Sequence, residues 1–519
     1  MAPETIADIV RTHASSQPGK AALVQDGETV TYAELHERSN RVANGLISEG
    51  IGAQDHVGFL DKNCLEFFDL LYGAAKVNAV HAGINWRLYP REIAAMIADA
   101  GSRLLVVGQE FVGVLDEMEA DLASVEKILV VGGHPRHEAF EVWRDRQDAT
   151  DPGGRAGPDD TVLLLYSSGT TGAPKGVMIR NGSVFDLMRI CSPIWGIGQD
   201  SITLVNMPMF HIGGVGWGAL AHYNGSTGVV VRENVPDELV ALVGRHRITN
   251  CFFVPALLQF MCMVPGVETR DFSALEVIVY GAAPITVDVL RRSIDTLSCE
   301  FVGVYGLTES SGGVTTLRWE DHDPGGPRAR LLQSAGTAHP NAKLKIVDPV
   351  STDEMPTGQV GEIWIQSGQS MKGYWQNPEA TAETLLPGGW LRTGDAGFLD
   401  ADGYLFVTDR IKDMIVSGGE NIYSAEVENV LMGHPAVVDV TVIGVPSDRW
   451  GETPLALVVV AEGADLSDRD IIDFCRGEMA SYKCPSVVEF VDDLPRGPTG
   501  KVLKNVLRDP YWEGRDRKI

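Results

Sequence analysis

Ser167, Ser168, Thr170 and Thr171 alternate with Gly169 and Gly172 in the string YSSGTTGAPKGV (166 to 177), which Lys175 closes. Glycines let backbone N–H groups approach an oxyanion, hydroxyls donate to it, and the lysine adds a point charge, so the segment has the parts of a phosphate cradle. It is not a Walker loop, because Ala173, Pro174 and Lys175 follow Gly172 where a Gly-Lys-Ser/Thr ending would stand. No GxSxG elbow appears, which disfavours a serine hydrolase. No GxGxxG follows a strand, which disfavours a nicotinamide enzyme.

The string resembles the signature loop of the adenylate-forming superfamily, which includes acyl-CoA synthetases, aryl-CoA ligases, amino-acid adenylation domains and luciferases. The resemblance extends through VYGLTE (304 to 309), GEIWIQSGQSMKGYW (361 to 375), WLRTGD (390 to 395), DRIKDMIVSGGENIYSAEVE (409 to 428) and LPRGPTGKVLK (494 to 504), in the family's order and over nearly the whole chain. It implies that ATP activates a carboxylic acid. The carboxylate attacks the α-phosphorus and expels pyrophosphate, and the sulfur of CoA then displaces AMP to give a thioester. Such steps need positioning and charge neutralisation more than covalent help.

The same resemblance implies roles for individual residues. Ser167, Ser168, Gly169, Thr170, Thr171, Gly172 and Lys175 would hold the β- and γ-phosphates. Glu309 would hold Mg²⁺, a hard cation that prefers carboxylate oxygens, and Thr308 would touch the α-phosphate. Gly281, Ala282, Ala283, Tyr305 and Gly306 would surround the adenine, although many relatives carry an amide residue where this chain has Gly303. Asp395 would accept both ribose hydroxyls, as two acceptor oxygens suit a vicinal diol. Arg410 would also reach the ribose, and Lys412 would lie at a hinge. Lys501 would neutralise charge as the adenylate forms, then withdraw when the small domain rotates and brings Gly418 and Gly419 to CoA.

His211 follows Phe210 in MPMFHIGG (207 to 214), where amino-acid activating relatives place an aspartate, so the resemblance implies a fatty or related apolar acid with His211 as an aromatic gate. Glycines at 213, 214, 216 and 218 are expected to leave room for the acyl group. Trp217, Phe252, Phe253, Val254, Leu258, Met261 and Met263 lie in segments near that pocket, and most of them read as core. Two rivals carry the same nucleotide motifs: a free-standing adenylation enzyme that loads a carrier protein, and a non-catalytic nucleotide-binding relative. Retention of Lys501, Glu309 and Asp395 together argues against the latter. A luciferase-type oxygenase is disfavoured because the terminal DRKI lacks the peroxisomal tripeptide.

The elements that must position these residues follow from patterning. Apolar β-branched runs such as HVGFL and EVIVYG alternate with helix-length amphipathic stretches to about residue 320, which predicts an α/β fold with parallel sheets covered on both faces. Strands separated by Gly/Asp turns then predict an antiparallel β subdomain over about 335 to 409, with DADG (400 to 403) as a hairpin turn. A helix, two strands and a second helix close the chain as a small α+β domain. The expected division is a large domain over 1 to 409 and a mobile one over 410 to 519, hinged near 409 to 413.

A chain of 519 residues is long enough for more than one core. Its net charge of -27 repels nucleic acid, so anionic substrates must be drawn in by local cations and N–H dipoles. Seven scattered cysteines, no secretory signal and no apolar run of roughly 20 residues imply a cytoplasmic protein without a transmembrane segment. Its expected partners are the acid, ATP and CoA, with self-association into a homo-oligomer compatible with the same reading.

Overall fold

The structure, a computed structural model, describes residues 3–117, 122–167, 174–283, 285–411, 413–417, 420–464, 466–497 and 501–513. Among these residues the strands form four sheets. The first has the order Gly373–Tyr374, Lys175–Arg180, Thr161–Ser167, Val80–Gly83, His56–Leu60, Leu104–Gly108, Lys127–Val131 and Glu138–Ala139. Its central strands pair in parallel, and His56–Leu60 and Leu104–Gly108 are buried at every position. That is why they read as unbroken apolar runs rather than alternating ones.

The second sheet places Val277–Gly281 between Asn250–Phe253 and Glu300–Leu307 in parallel, then turns antiparallel through Gly312–Leu317. Val277–Gly281 feeds helix Val287–Leu297, whose buried Leu290, Ser293 and Leu297 recur on one face. Thr286 caps that helix by accepting from the Val289 N–H. The expected α/β class is therefore present, and the carboxyl ends of Val277–Gly281 and Glu300–Leu307 lie together, the usual place for a ligand crevice in such sheets.

Helix Ile212–Tyr223 is packed on nearly all sides, and its glycines are the reason. A Cβ on Gly214 would stand 2.2 Å from the Pro208 carbonyl oxygen, and one on Gly218 2.8 Å from the Phe68 ring. On Gly213 it would meet Phe252 at 2.9 Å, and on Gly216 it would meet Ile212 at 3.3 Å. The expectation that these glycines open acyl space is corrected: they admit close packing, and the room they leave is already filled.

Ala342–Val347, Gly361–Ser367, Trp390–Leu399 and Leu405–Arg410 build an antiparallel sheet. Its last turn is DADG, where the Asp400 carboxylate accepts from the N–H groups of Asp402 and Tyr404 and Gly403 has φ 83°. Beyond it, strands Val437–Ser447 and Gly451–Val460 pair between helices Ser424–Met432 and Asp468–Glu478. Among the described residues, four further elements lay outside the sequence expectation: strands Ile415–Ser417 and Glu420–Ile422, strand Val487–Phe490, parallel to Gly451–Val460, and helix Lys504–Trp512. Leu494, Val502, Leu507 and Tyr511 pack on Ile443, Val445 and Leu455, which seats the segment around Lys501 on the small sheet.

Candidate active site

The hairpin formed by Trp390–Leu399 and Leu405–Arg410 sets Asp395 directly opposite Arg410. The Arg410 Nε lies 3.5 Å from Asp395 Oδ1, and the Tyr305 hydroxyl donates to Asp395 Oδ2 at 2.8 Å. Burial raises the Asp395 carboxyl pKa, against the pull of Arg410, Tyr305 and Lys501. Burial and the Asp395 charge raise the Tyr305 phenol, so it stays a donor.

Tyr305 stands on Glu300–Leu307, and the chain then makes the short turn Thr308–Ser310. Ser310 is fully buried and pins that turn: its hydroxyl accepts from the Leu307 N–H at 2.8 Å and donates to the Gly312 carbonyl at 2.8 Å. Thr308 and Glu309 are thus presented at a fixed strand end. Glu309 is held twice, by the Tyr374 hydroxyl at Oε1 (2.9 Å) and by the Met371 N–H at its carbonyl (2.8 Å).

Gly281 and Gly306 fit this crossing through their missing Cβ. One on Gly281 would lie 2.5 Å from the Val304 carbonyl oxygen, and one on Gly306 1.9 Å from that of Gly312. Ala282 adopts a left-handed conformation, φ 65°, and is exposed beside Ala283. At Gly303 the Tyr280 hydroxyl takes the side-chain space, 2.8 Å from where a Cβ would be. An amide side chain has no room there.

Lys501 approaches from the small domain. The turn that bears it is closed by Gly497 N–H to the Lys501 carbonyl (2.7 Å) and Leu503 N–H to the Pro495 carbonyl (2.8 Å). Lys501 is exposed to solvent as a residue, while protein crowds its ammonium. That crowding and Arg410 lower its ammonium pKa to about 8, against the opposing pull of Asp395 and Glu309. His211 also feels the lysine: burial, Arg87 and Lys501 push its imidazole down to about 3, so it is neutral near pH 7. Its Nε2 is buried and has no hydrogen-bond partner among the described residues.

Lys501, Asp395, Glu309, Tyr305, Arg410 and His211 therefore come together from segments up to 290 positions apart (501 less 211). Ser167 and Lys175 face each other across the strands Thr161–Ser167 and Lys175–Arg180. Ser168, Gly169, Thr170, Thr171, Gly172, Lys412, Gly418 and Gly419 lie outside the described residues. Of the apolar candidates, Phe253, Leu258 and Met261 belong to a separate buried cluster and Met263 is exposed. Phe252 and Trp217 pack 5.9 Å apart near His211's helix. Tyr374 was missed, and the signal available was its place in SMKGYW.

The model of the AMP-binding enzyme family matches residues 10–375, and that of the AMP-binding enzyme C-terminal domain matches 426–501. The chain is 40% identical over 523 residues to the fatty acid–[acyl-carrier-protein] ligase ScoC of Streptomyces coeruleorubidus, covering 99% of this chain and 98% of that protein. It is 35% identical over 509 residues to the long-chain-fatty-acid–CoA ligase FadD13 of Mycobacterium tuberculosis, covering 97% and 98%. Among solved structures, the anthranilate CoA ligase AuaEII in complex with anthranoyl-AMP superposes with a TM-score of 0.91 at 27% identity, covering 98% of this chain and 97% of that one.

Proposed function

The chain belongs to the AMP-binding enzymes of the adenylate-forming superfamily and is an AMP-forming acid–thiol ligase, and on that premise we propose that it activates a fatty or related apolar acid and transfers the acyl group to CoA. The observation that carries the reading is the cluster of Asp395, Arg410, Tyr305 and Glu309, within whose electrostatic reach Lys501 lies. An ammonium at that point neutralises charge as a carboxylate oxygen bonds to the α-phosphorus and pyrophosphate leaves.

Asp395 accepts the ribose hydroxyls, with Arg410 beside it and Tyr305 against the adenine. Gly281, Ala282, Ala283 and Gly306 let the base lie close to backbone, while the Tyr280 hydroxyl fills the place above Gly303. Ser167, Lys175 and the loop between them hold the phosphate tail, and Thr308 meets the α-phosphate. Glu309 fits Mg²⁺ in donor chemistry, being a carboxylate fixed at one oxygen by a phenol. Bound there, the ion would neutralise phosphate charge. Neutral His211 closes the acyl pocket without introducing a charge.

In the second step the CoA sulfur forms a bond to the acyl carbon and the bond to AMP breaks. Lys501 blocks that approach, so the domain over 410 to 519 turns about the 409 to 413 hinge and brings Gly418 and Gly419 to the pantetheine arm. A second reading replaces CoA with a carrier protein, and the identity to ScoC favours it. A panel of carboxylic acids, assayed with ATP and Mg²⁺ and with either CoA or a phosphopantetheinylated carrier, tests both. Pyrophosphate, AMP and acyl-CoA are expected; acylated carrier with no acyl-CoA would select the second reading, and ADP with phosphate would refute both.

A further inference from the structure

Tyr374 stands where two groups that handle cations and phosphates meet. Its hydroxyl donates to Glu309 Oε1 at 2.9 Å, while the Lys175 ammonium stands over its ring, 5.1 Å from the centroid. The edge of the phenol addresses a carboxylate and its face addresses an ammonium, so one side chain serves both without competition.

The backbone that carries Tyr374 is fixed at several points. Gly373 and Tyr374 pair antiparallel with Met178 and Val177, on the strand that begins at Lys175. The Tyr374 N–H donates to Thr381 Oγ1 at 2.9 Å, and Gly373 has φ 148° with Thr381 packed where a Cβ would go. Trp375 donates its backbone N–H to the Gly176 carbonyl at 2.7 Å and its indole N–H to the Asp99 carbonyl at 2.8 Å. With Met371 also bonded to the Glu309 carbonyl, residues 371 to 375 tie the Lys175 strand to the Glu309 turn.

We propose that Tyr374 is a positioning residue of adenylate formation: through its hydroxyl it aims Glu309 at the magnesium of Mg·ATP, and through its ring it holds Lys175 for the phosphate tail. The inference rests on reading Glu309 as the carboxylate that meets magnesium. A hydrogen bond to a carboxylate holds one rotamer of a side chain that otherwise samples several, so its removal weakens binding of the metal complex more than binding of the nucleotide alone.

Calorimetric titration of the full chain with α,β-methylene-ATP, with and without Mg²⁺, tests this in wild type, Tyr374→Phe, Glu309→Gln and the double variant. Tyr374→Phe is expected to weaken binding of the magnesium complex about fivefold, less than the full worth of one charge-assisted hydrogen bond because the bond acts on the metal only through Glu309. Metal-free binding, the KM for the acid and the thermal midpoint (within about 2 °C) should stay. In the Glu309→Gln background the Phe change should add less than about twofold, since a residue acting through another shows no separate effect once that partner is altered. Tyr374→Leu, which removes the ring as well, should also weaken metal-free binding.

Wild-type affinity in Tyr374→Phe, equal losses in both backgrounds, or a loss spread over the acid and the thermal midpoint would overturn the inference. If Glu309→Gln alone keeps full magnesium-dependent affinity, the reading of Glu309 falls and takes this inference with it. If Glu309→Gln weakens binding and Tyr374→Phe does not, only the role of Tyr374 falls.

Discussion

Lys501 lies within electrostatic reach of Arg410, Asp395 and Glu309, and the loss of water around its ammonium, followed by Arg410, sets its titration. With its pKa lowered to about 8, the side chain is charged below that pH and neutral above it. His211, at about 3, keeps one charge state from pH 6 to 10. The kcat/KM for ATP, which reports the free enzyme, should therefore fall as pH rises through about 8, approaching tenfold per unit. Lys501→Arg should carry the break beyond pH 10 at a lower plateau. A wild-type profile that stays flat through pH 9 would contradict the lysine's assignment. Lys501, Asp395 and Glu309 could be picked out of the sequence because each stands in an ordered string. Tyr374 also stands in such a string, but its role was not legible there, since it lies in a bond to a residue 65 positions away (374 less 309) and in a ring contact with Lys175.

At the scale of elements, the Glu300–Leu307 and Gly312–Leu317 hairpin does most of the positioning. Its register shifts between Tyr305 and Gly306, and such irregularities re-aim side chains next to a site. Gly306→Ala would drive a methyl group to 1.9 Å from the Gly312 carbonyl oxygen, so backbone must move. The expected result is a loss of about 1–3 kcal/mol in urea unfolding, with weakened ATP binding in the folded fraction. An unchanged unfolding midpoint and ATP affinity would show that the crossing is not needed. The alternation of strands and helices was legible because buried parallel strands are apolar throughout. The glycine row at 213 to 218 was not, because a missing side chain reads the same whether it faces a cavity or a packed ring.

At the scale of the whole molecule, the large negative charge opposes ATP and CoA alike, so the cations gathered at the site must overcome it locally. The segment that bears Lys501 is tied to residues 409 to 428: Lys504 pairs with Glu428 at 2.8 Å, Arg508 with Asp413 at 2.9 Å, and the Ser424 N–H and hydroxyl both donate to Asp409. If the small domain turns between half-reactions, Lys501→Ala should slow pyrophosphate release about 100-fold or more. It should leave thioester formation from supplied acyl-adenylate within about threefold; equal loss in both would argue against a withdrawing lysine. The sequence alone determined the α/β class, the family, and the ligase chemistry, because these rest on residue type, order and the period of burial along the chain. Tertiary structure alone decided which side chains meet: Asp395 against Arg410 by hairpin register, Lys501 within electrostatic reach of both, Tyr280 in the space at Gly303. Contacts between distant segments depend on how sheets pack and how closely backbones approach, and neither is written in local pattern.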